Sequence, residues 1–142
     1  MLMDMKEIAM LLKDHGIKPS HHRMKIYEYL VTHRNHPNVD MVYQELIQEI
    51  PTLSKTTLYN TLNLFLNKGL VQLITIAENE MHYDADVSMH GHFMCKECKK
   101  IYDIWFEDND IVLPDLKDFA VDESHIYFRG TCLACLNKQL QD

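Results

Sequence analysis

The chain has 142 residues, 46% of them apolar, and a formal net charge of −7, which suits one globular domain or two small ones. No apolar run reaches the roughly 18 residues that span a bilayer. The N-terminus lacks the pattern of a signal peptide, so we expect a cytoplasmic protein. The acidity is mainly C-terminal: residues 1–80 carry 8 basic and 9 acidic side chains, and residues 81–142 carry 6 and 12. The net charge therefore does not exclude a nucleic-acid partner.

Four helices are predicted in the first half of the chain. Apolar spacing places the first over residues 5–15, and the second begins after Ser20, a favourable N-cap. His21, His22 and Arg23 occupy the first turn of this second helix. Cations at that position oppose the helix dipole. Arg23 therefore either contacts an anion such as a DNA phosphate or is simply solvated.

The third and fourth helices predict a helix-turn-helix unit. Asn38 or Asp40 caps the third helix, and Pro51 is expected to end it. Only residues 51–53 separate this helix from Ser54, the predicted N-cap of a fourth helix that runs to Gly69. Two helices joined by so short a turn are typical of DNA-binding proteins.

The polar face of the fourth helix is a candidate surface for reading DNA. Residues 70–76 and 81–83 flank a turn and predict a β-hairpin directly after this helix. Hydrogen-bonding side chains of the helix can reach bases and phosphates in a major groove. The first 83 residues therefore predict a winged helix-turn-helix domain, with candidate contacts at Lys55, Thr56, Thr57, Tyr59, Asn60 and Asn63.

The four cysteines of the chain form two pairs with the same internal spacing. Cys95 and Cys98 are separated by 33 residues from Cys132 and Cys135. Two such pairs can bind one tetrahedral Zn²⁺, and because four thiolates leave no open position, this zinc would be structural. Two disulfides or a thioredoxin-like redox pair are the alternatives. An expected reducing compartment, and the lack of Trp or Pro beside either pair, favour zinc.

A second metal site is predicted around a His-x-His pair. His90 and His92 lie two residues apart in a segment expected to be extended, so their imidazoles leave the same side. Asp84 precedes this pair and Asp103 follows the first cysteine pair. Two nitrogens and two carboxylates form a harder ligand set than four thiolates, and suit Fe²⁺ or Mn²⁺ as well as Zn²⁺. These side chains and Asp86 could instead be solvated surface residues.

Residues 84–142 predict a small α/β unit that carries the cysteine site. Its apolar faces exceed what so short a segment can bury, which favours a homodimer. The predicted fold class is therefore α+β, with a winged-helix domain (1–83) and an α/β dimerisation domain (84–142). Within the second domain we expect strands at 93–94, 101–106 and 122–130, a short helix at 113–119 and a solvated loop at 107–110.

Nearly the whole chain resembles the ferric-uptake-regulator (Fur) family of dimeric, metal-dependent repressors. The peroxide-sensing repressor (PerR) branch is the most similar, because it shares His36-Pro37, Asp103, and Asn60 after Tyr59. The motifs that carry the family resemblance are the Arg23 helix, Ser54-x2-Thr57-Leu58-Tyr59, Leu62-x7-Leu70-Val71, His90-x-His92-x2-Cys95-x2-Cys98 and Cys132-x2-Cys135.

The resemblance implies a repressor rather than an enzyme, which binds a double-stranded DNA operator as a homodimer. It implies one structural Zn²⁺ and one regulatory Fe²⁺ or Mn²⁺ per subunit. Hydrogen peroxide would oxidise two of the regulatory ligands when iron is bound, His36 and His90. Arg23, Tyr59 and Asn60 would lie at the operator. The implied regulatory ligands are His36, Asp84, His90, His92 and Asp103.

Some features depart from the family pattern or leave alternatives open. Lys55-Thr56 replaces a small residue of the recognition helix, which leaves the operator preference open. His125 lies one residue nearer the second cysteine pair than its usual counterpart, so its part in a further site is open, as is a role for Asp86 in place of Asp84. An iron- or zinc-responsive repressor is the nearest alternative function. A metal hydrolase or deaminase and a zinc-ribbon interaction module are the others.

Overall fold

The computed structural model describes residues 3–77, 79–107 and 113–141. The chain divides into two compact units, Met1–Val87 and Ser88–Asp142. The boundary predicted after residue 83 falls inside a strand of the first unit, so Asp84 belongs with the N-terminal half. In the described ranges, no helix combines the length and the apolar character that crossing a membrane requires.

Four helices with side-chain caps form the body of the first unit. They are α1 (Met5–Asp14), α2 (His21–His33), α3 (Val39–Leu46) and α4 (Lys55–Asn67). The side chain that precedes each helix accepts a hydrogen bond from the amide three residues after it, which satisfies one free donor of the first turn. The capping residues are Asp4, Ser20, Asn38 and Ser54.

The third helix is shorter than predicted. It ends at Leu46 instead of continuing to Pro51, and hydrogen-bonded turns connect it to α4. Ile50 still reaches the core, because its amide donates to the carbonyl of Leu46 at 2.8 Å and its side chain is buried. A turn therefore brings Ile50 to the core, although its spacing from Leu46 had indicated a longer helix.

A two-stranded antiparallel sheet follows α4 and forms the wing. It contains β1 (Gln72–Ile74) and β2 (His82–Asp84), with Leu73 opposite Tyr83. β1 is shorter than the predicted strand 70–76. The side chain of Tyr83 is fully buried, and it packs in the core that the four helices share with the wing.

The second unit contains a three-stranded sheet and one helix. Its elements are β3 (Gly91–Cys95), β4 (Ile101–Ile104), β5 (Tyr127–Gly130) and α5 (Leu133–Leu140). The strand order is β4-β3-β5, with β4 antiparallel and β5 parallel to β3. Only the end of the predicted strand 122–130 is a strand, and the predicted helix 113–119 is a single 3-10 turn, Pro114–Leu116. The predicted loop 107–110 lies mostly outside the described residues.

The parallel pairing of β3 and β5 brings the two cysteine pairs to one end of the sheet. Cys95 ends β3 opposite Gly130, the last residue of β5. A Cβ atom at position 130 would lie 3.3 Å from the ring of Phe93, so the glycine permits this close approach. Cys132 follows two residues later, immediately before α5.

Candidate functional site

The four cysteine sulfurs form one compact group, which we call the cysteine cluster. All four atoms lie within 4.8 Å of one another, and the Sγ atoms of Cys98 and Cys132 are 3.8 Å apart. None of the four is in a disulfide. Tetrahedral zinc with Zn–S bonds of about 2.3 Å places its sulfurs about 3.8 Å apart. The geometry therefore fits one four-thiolate zinc site and argues against the alternative of two disulfides.

Hydrogen bonds favour the thiolate form at two of the cysteines. The amides of Cys132 and Cys98 lie 3.4 and 3.5 Å from the sulfur of Cys95 and lower its pKa to about 6. The amide of Cys135 and the hydroxyl of Tyr102 donate to the sulfur of Cys132 and lower its pKa. These donors keep negative charge on the sulfurs that face the site.

The last thiol shows what a bound cation would change in the cluster. Cys135 donates its proton to the sulfur of Cys132, and this bond, together with burial, raises the pKa of Cys135 to about 12. Four thiolates so close together repel one another unless a positive ion lies between them. The donor set therefore fits Zn²⁺, which would be held by all four sulfurs.

The first unit brings two of the predicted regulatory ligands together. The Nε2 atom of His36 lies 3.6 Å from Oδ2 of Asp84, and the side chain of His36 is 7% exposed. His36 follows α2 in a left-handed backbone conformation with φ of 50°. The amide of Tyr83 donates to the carbonyl of Pro37 at 2.9 Å, which fixes this segment along β2.

The second unit assembles the other three predicted ligands. His92 and Asp103 are opposite each other on β3 and β4, with Nε2 and Oδ1 3.4 Å apart. His90 immediately precedes β3, and its Nε2 lies 3.1 Å from the same carboxylate oxygen. The carbonyl of Ser88 is 2.8 Å from Nδ1 of His90 and orients the ring. We call His36, Asp84, His90, His92 and Asp103 the nitrogen–oxygen group.

Asp86 and His125 have other contacts. Oδ2 of Asp86 lies 3.8 Å from Nη1 of Arg34, while its amide donates to Oδ1 of Asp84 at 2.9 Å. Nε2 of His125 lies 3.0 Å from a carboxylate oxygen of Glu123. Neither side chain belongs to a group of three or more closely spaced metal-binding residues within the part of the chain that the structure describes.

Three of the predicted DNA contacts line one cleft between α2 and α4. Arg23 begins α2 and donates from Nη1 to the carbonyl of Lys18 at 2.9 Å, which directs its guanidinium along the helix N-terminus. Thr57 and Asn60 face the same cleft from α4. The cleft has a volume of about 460 Å³, and its lining consists of Lys18, Ser20, His22, Arg23, Thr57, Asn60, Thr61 and Leu64.

Two further predicted contacts, Lys55 and Tyr59, are placed differently. Nζ of Lys55 lies 2.8 Å from Oδ1 of Asp40 and 5.4 Å from the centre of the Tyr43 ring. The bond to Asp40 raises the pKa of Lys55. Tyr59 is exposed and borders a different cavity, beside the wing. The structure thus gathers Arg23, Thr57 and Asn60 in one cleft and places Lys55 and Tyr59 outside it.

Three side chains with roles near the predicted sites were not predicted. His82 contacts the backbone of His36, Tyr102 contacts Cys132, and the ring of Trp105 stacks on His90 with 4.5 Å between centroids. The alternation His82-x-Asp84 places both side chains on one face of β2, which is a usable sequence signal. The contacts of Tyr102 and Trp105 depend on the β3–β4 register, which sequence spacing does not specify.

Comparison with known proteins shows the family. The model of the ferric uptake regulator family matches residues 14–122. The peroxide-responsive repressor PerR of Staphylococcus aureus (strain Mu50 / ATCC 700699) is 30% identical over 138 residues, which cover 95% of this chain and 93% of that protein. The family resemblance identified in the sequence is therefore confirmed.

Solved structures show the same fold. The Campylobacter jejuni peroxide stress regulator is 28% identical, with a TM-score of 0.66 over 91% of this chain and 99% of that one. The ferric uptake regulator Fur of Helicobacter pylori is 17% identical, with a TM-score of 0.70 over 95% of each chain. The predicted combination of a winged-helix domain and a dimerisation domain with a four-cysteine site is thereby confirmed. This chain belongs to the ferric uptake regulator family.

Proposed function

We propose that this protein is a metal-dependent repressor that binds DNA as a homodimer and senses hydrogen peroxide by oxidation of its own histidines. The observation that carries the proposal is the nitrogen–oxygen group. Its members are already paired within each unit, His36 with Asp84 at 3.6 Å, and His90 and His92 with Asp103 at 3.1 and 3.4 Å. The similarity to the S. aureus protein named a peroxide-responsive repressor supports the same function.

In this proposal the nitrogen–oxygen group binds one regulatory ion with ligands from both units. Three imidazole nitrogens and two carboxylate oxygens suit Fe²⁺ or Mn²⁺ and leave a position open for a small molecule. The ligand set would fix the orientation of the winged helix relative to the dimerisation unit. Two recognition helices held in this way can match operator half-sites about one DNA turn apart.

The cysteine cluster would hold Zn²⁺ and stabilise the second unit. Its four sulfurs close the coordination sphere, so the thiolates remain protected while the histidines react. Exposed apolar side chains on β5 and α5 support dimerisation of this unit. They are Phe128, Leu133, Leu136 and Leu140.

DNA binding would use the cleft between α2 and α4. Arg23, Thr57 and Asn60 line this cleft, and they offer one cation and two hydrogen-bonding groups. Lys55 would exchange Asp40 for a phosphate, which costs little because exposed ion pairs contribute little stability. Tyr59 would contact the operator from the exposed face of α4.

Peroxide sensing would depend on the imidazoles of the nitrogen–oxygen group. Iron bound by this group would supply the one-electron chemistry that activates H₂O₂, whereas bound manganese would not. The net reaction inserts one peroxide oxygen into a C–H bond of an imidazole ring, and the other oxygen leaves as water. Oxidised His36 or His90 would bind a metal poorly, so the two units would no longer be held together and the operator would be released irreversibly.

Mass spectrometry tests the proposal. The protein is loaded anaerobically with Fe²⁺ or with Mn²⁺, exposed to a small excess of H₂O₂, digested and analysed, while operator binding is measured in parallel. We expect a gain of one oxygen on peptides containing His36 or His90 with iron, together with loss of operator binding. The manganese-loaded protein is the control and should remain unmodified and bound to DNA.

The same experiment separates the nearest alternative. If the iron-loaded protein is unmodified and stays on the operator, peroxide sensing is wrong. The chain would then be an iron- or zinc-responsive repressor, and titration of operator binding with Fe²⁺ and Zn²⁺ would identify the metal that activates it for DNA binding.

A further inference from the structure

We propose that His82 is a positioning residue that holds His36 in its metal-binding conformation and connects it to the wing. This inference rests on the proposed function, because it assigns His82 a role toward the regulatory site. His82 lies on β2 and is itself buried. It belongs to neither the cysteine cluster nor the nitrogen–oxygen group.

The backbone of His36 needs external support. Its φ of 50° lies in the left-handed region, which disfavours a residue with a Cβ atom unless surrounding contacts hold it there. Nδ1 of His82 lies 2.6 Å from the carbonyl oxygen of His36, and the amide of Tyr83 donates to the carbonyl of Pro37 at 2.9 Å. Two consecutive carbonyls are thus held by two consecutive residues of β2.

The other ring nitrogen of His82 extends the connection to the wing turn. Nε2 lies 3.3 Å from Oε2 of Glu80, and Oε1 of Glu80 accepts a hydrogen bond from Nδ2 of Asn38. Asn38 is the N-cap of α3. A continuous series of contacts therefore runs from His36 through His82 and Glu80 to the start of α3.

This series ends beside a predicted DNA contact. Asn38, Glu80 and Tyr59 all line a cavity of about 420 Å³ next to the wing. A shift of His36 would therefore alter the surroundings of Tyr59 within one unit. The connection gives metal binding and operator binding a shared element, which energetic coupling between two sites requires.

Three substitutions at His82 distinguish positioning from simple core packing. His82→Asn retains a donor near the position of Nδ1, His82→Gln retains one near Nε2, and His82→Leu retains neither. A packing role depends on size and apolarity, and so predicts no advantage of Asn over Gln. Asn and Gln differ by one methylene group, so their comparison decides the question even if the leucine variant unfolds.

The first measurement uses protein without regulatory metal. Hydrogen exchange of the Tyr83 amide reports whether residues 36 and 37 remain docked on β2. We expect His82→Asn to exchange within about threefold of wild type, whereas His82→Gln and His82→Leu exchange about tenfold faster, because the loss of one hydrogen bond favours opening by about that factor. Equal exchange in the Asn and Gln variants would overturn the positioning role.

The second measurement is Mn²⁺ affinity by calorimetry, with the cysteine cluster loaded with zinc. Residues that orient metal ligands change affinity by about 10- to 100-fold when they are replaced. We expect His82→Leu and His82→Gln to bind Mn²⁺ about tenfold more weakly than wild type and His82→Asn to bind nearly as well. Glu80→Ala should keep Mn²⁺ affinity within about threefold, yet reduce the factor by which Mn²⁺ tightens operator binding.

Comparison with His36→Ala separates the two possible failures. If His36→Ala binds Mn²⁺ as wild type does, the proposed regulatory site is wrong. If His36→Ala loses Mn²⁺ affinity but His82→Leu binds normally, the site stands and the role of His82 is overturned.

Discussion

The residues of the cysteine cluster and those of the proposed nitrogen–oxygen group differ in where they lie in the chain. All four sulfurs belong to one unit and lie within 4.8 Å of one another. The nitrogen–oxygen group takes His36 and Asp84 from the first unit and its other members from the second. A ligand set contained in one unit can stabilise that unit, whereas one divided between units can report on whether they are held together.

The two groups also differ in how tightly their side chains bind a metal. Thiolates bind zinc tightly and leave it no open position. Imidazoles and carboxylates bind several divalent metals with lower selectivity, which allows exchange and access by a small molecule. Strand β3 carries residues of both groups, because it begins directly after His90, includes His92 and ends at Cys95.

The largest effect should follow loss of a sulfur. Replacing Cys95 with Ser removes one of four zinc ligands, and because metal binding is part of the folding free energy, we expect the second unit to unfold or the dimer to dissociate. Zinc content, circular dichroism and size-exclusion chromatography measure this. Lys96→Ser is the matched control, since Lys96 is exposed. Normal zinc content and stability in Cys95→Ser would contradict a structural zinc site.

Loss of His36 should have a smaller and different effect. His36→Ala is expected to keep the structural zinc and the dimer, but to lose metal-dependent operator affinity corresponding to a coupling of about 1–3 kcal/mol. Fluorescence anisotropy with operator DNA at fixed Mn²⁺ measures this. His125→Ala is the control, because His125 lies outside both groups. Unchanged operator binding in His36→Ala would contradict the proposal that His36 couples metal binding to DNA binding.

A residue beside the cysteine cluster tests how its charge is balanced. Tyr102→Phe removes a hydroxyl that lowers the pKa of Cys132. The pKa of Cys132 should rise, so protons displace zinc from this variant at a higher pH than from wild type. We expect a loss of zinc affinity of about tenfold. A chelating dye monitors release during acidification, with Tyr127→Phe as the control. Identical release curves for Tyr102→Phe and wild type would show that the hydroxyl does not support the site.

The smallest effect is a spectroscopic one. Trp105 is the only tryptophan, and its ring stacks on His90 at 4.5 Å. Paramagnetic Mn²⁺ bound by the nitrogen–oxygen group should partly quench its fluorescence, and zinc bound by the cysteine cluster should not. His92→Ala is the control and should abolish the quenching. Quenching that persists in this variant would place Mn²⁺ elsewhere.

Much of the fold could be predicted because local signals and tertiary structure agree. Ser20 and Ser54 cap their helices as expected, and α4 ends just before Gly69, near the predicted position. The predicted end of α3 was wrong, because a turn and not a helix brings Ile50 to the core. The strand predicted at 122–130 was too long, because only its last four residues pair with β3.

In the candidate sites, too, local sequence signals were predictable and tertiary contacts were not. Spacing alone predicted the cysteine pairs and the His-x-His pair, because those ligands are near neighbours in the chain. His82 and Trp105 could not be assigned in this way, since their partners, His36 and His90, are defined by strand register and a backbone turn. Contacts of this kind depend on tertiary structure, whereas the cysteine pairs and the His-x-His pair have spacing that the sequence displays.

The parallel pairing of β3 with β5 also bears on how the sequence can change. β5 and the residues that follow it deliver the second cysteine pair, and residues 113–125 of the connection between β4 and β5 are exposed, so this part of the connection can change in length without disturbing the strand pairing. The entropy of loop closure grows slowly, at about 0.6 kcal/mol for each doubling of length. Insertions in this connection should therefore be tolerated far better than a shift of one residue within either strand. A reporter peptide for following the protein in cells would be best placed there.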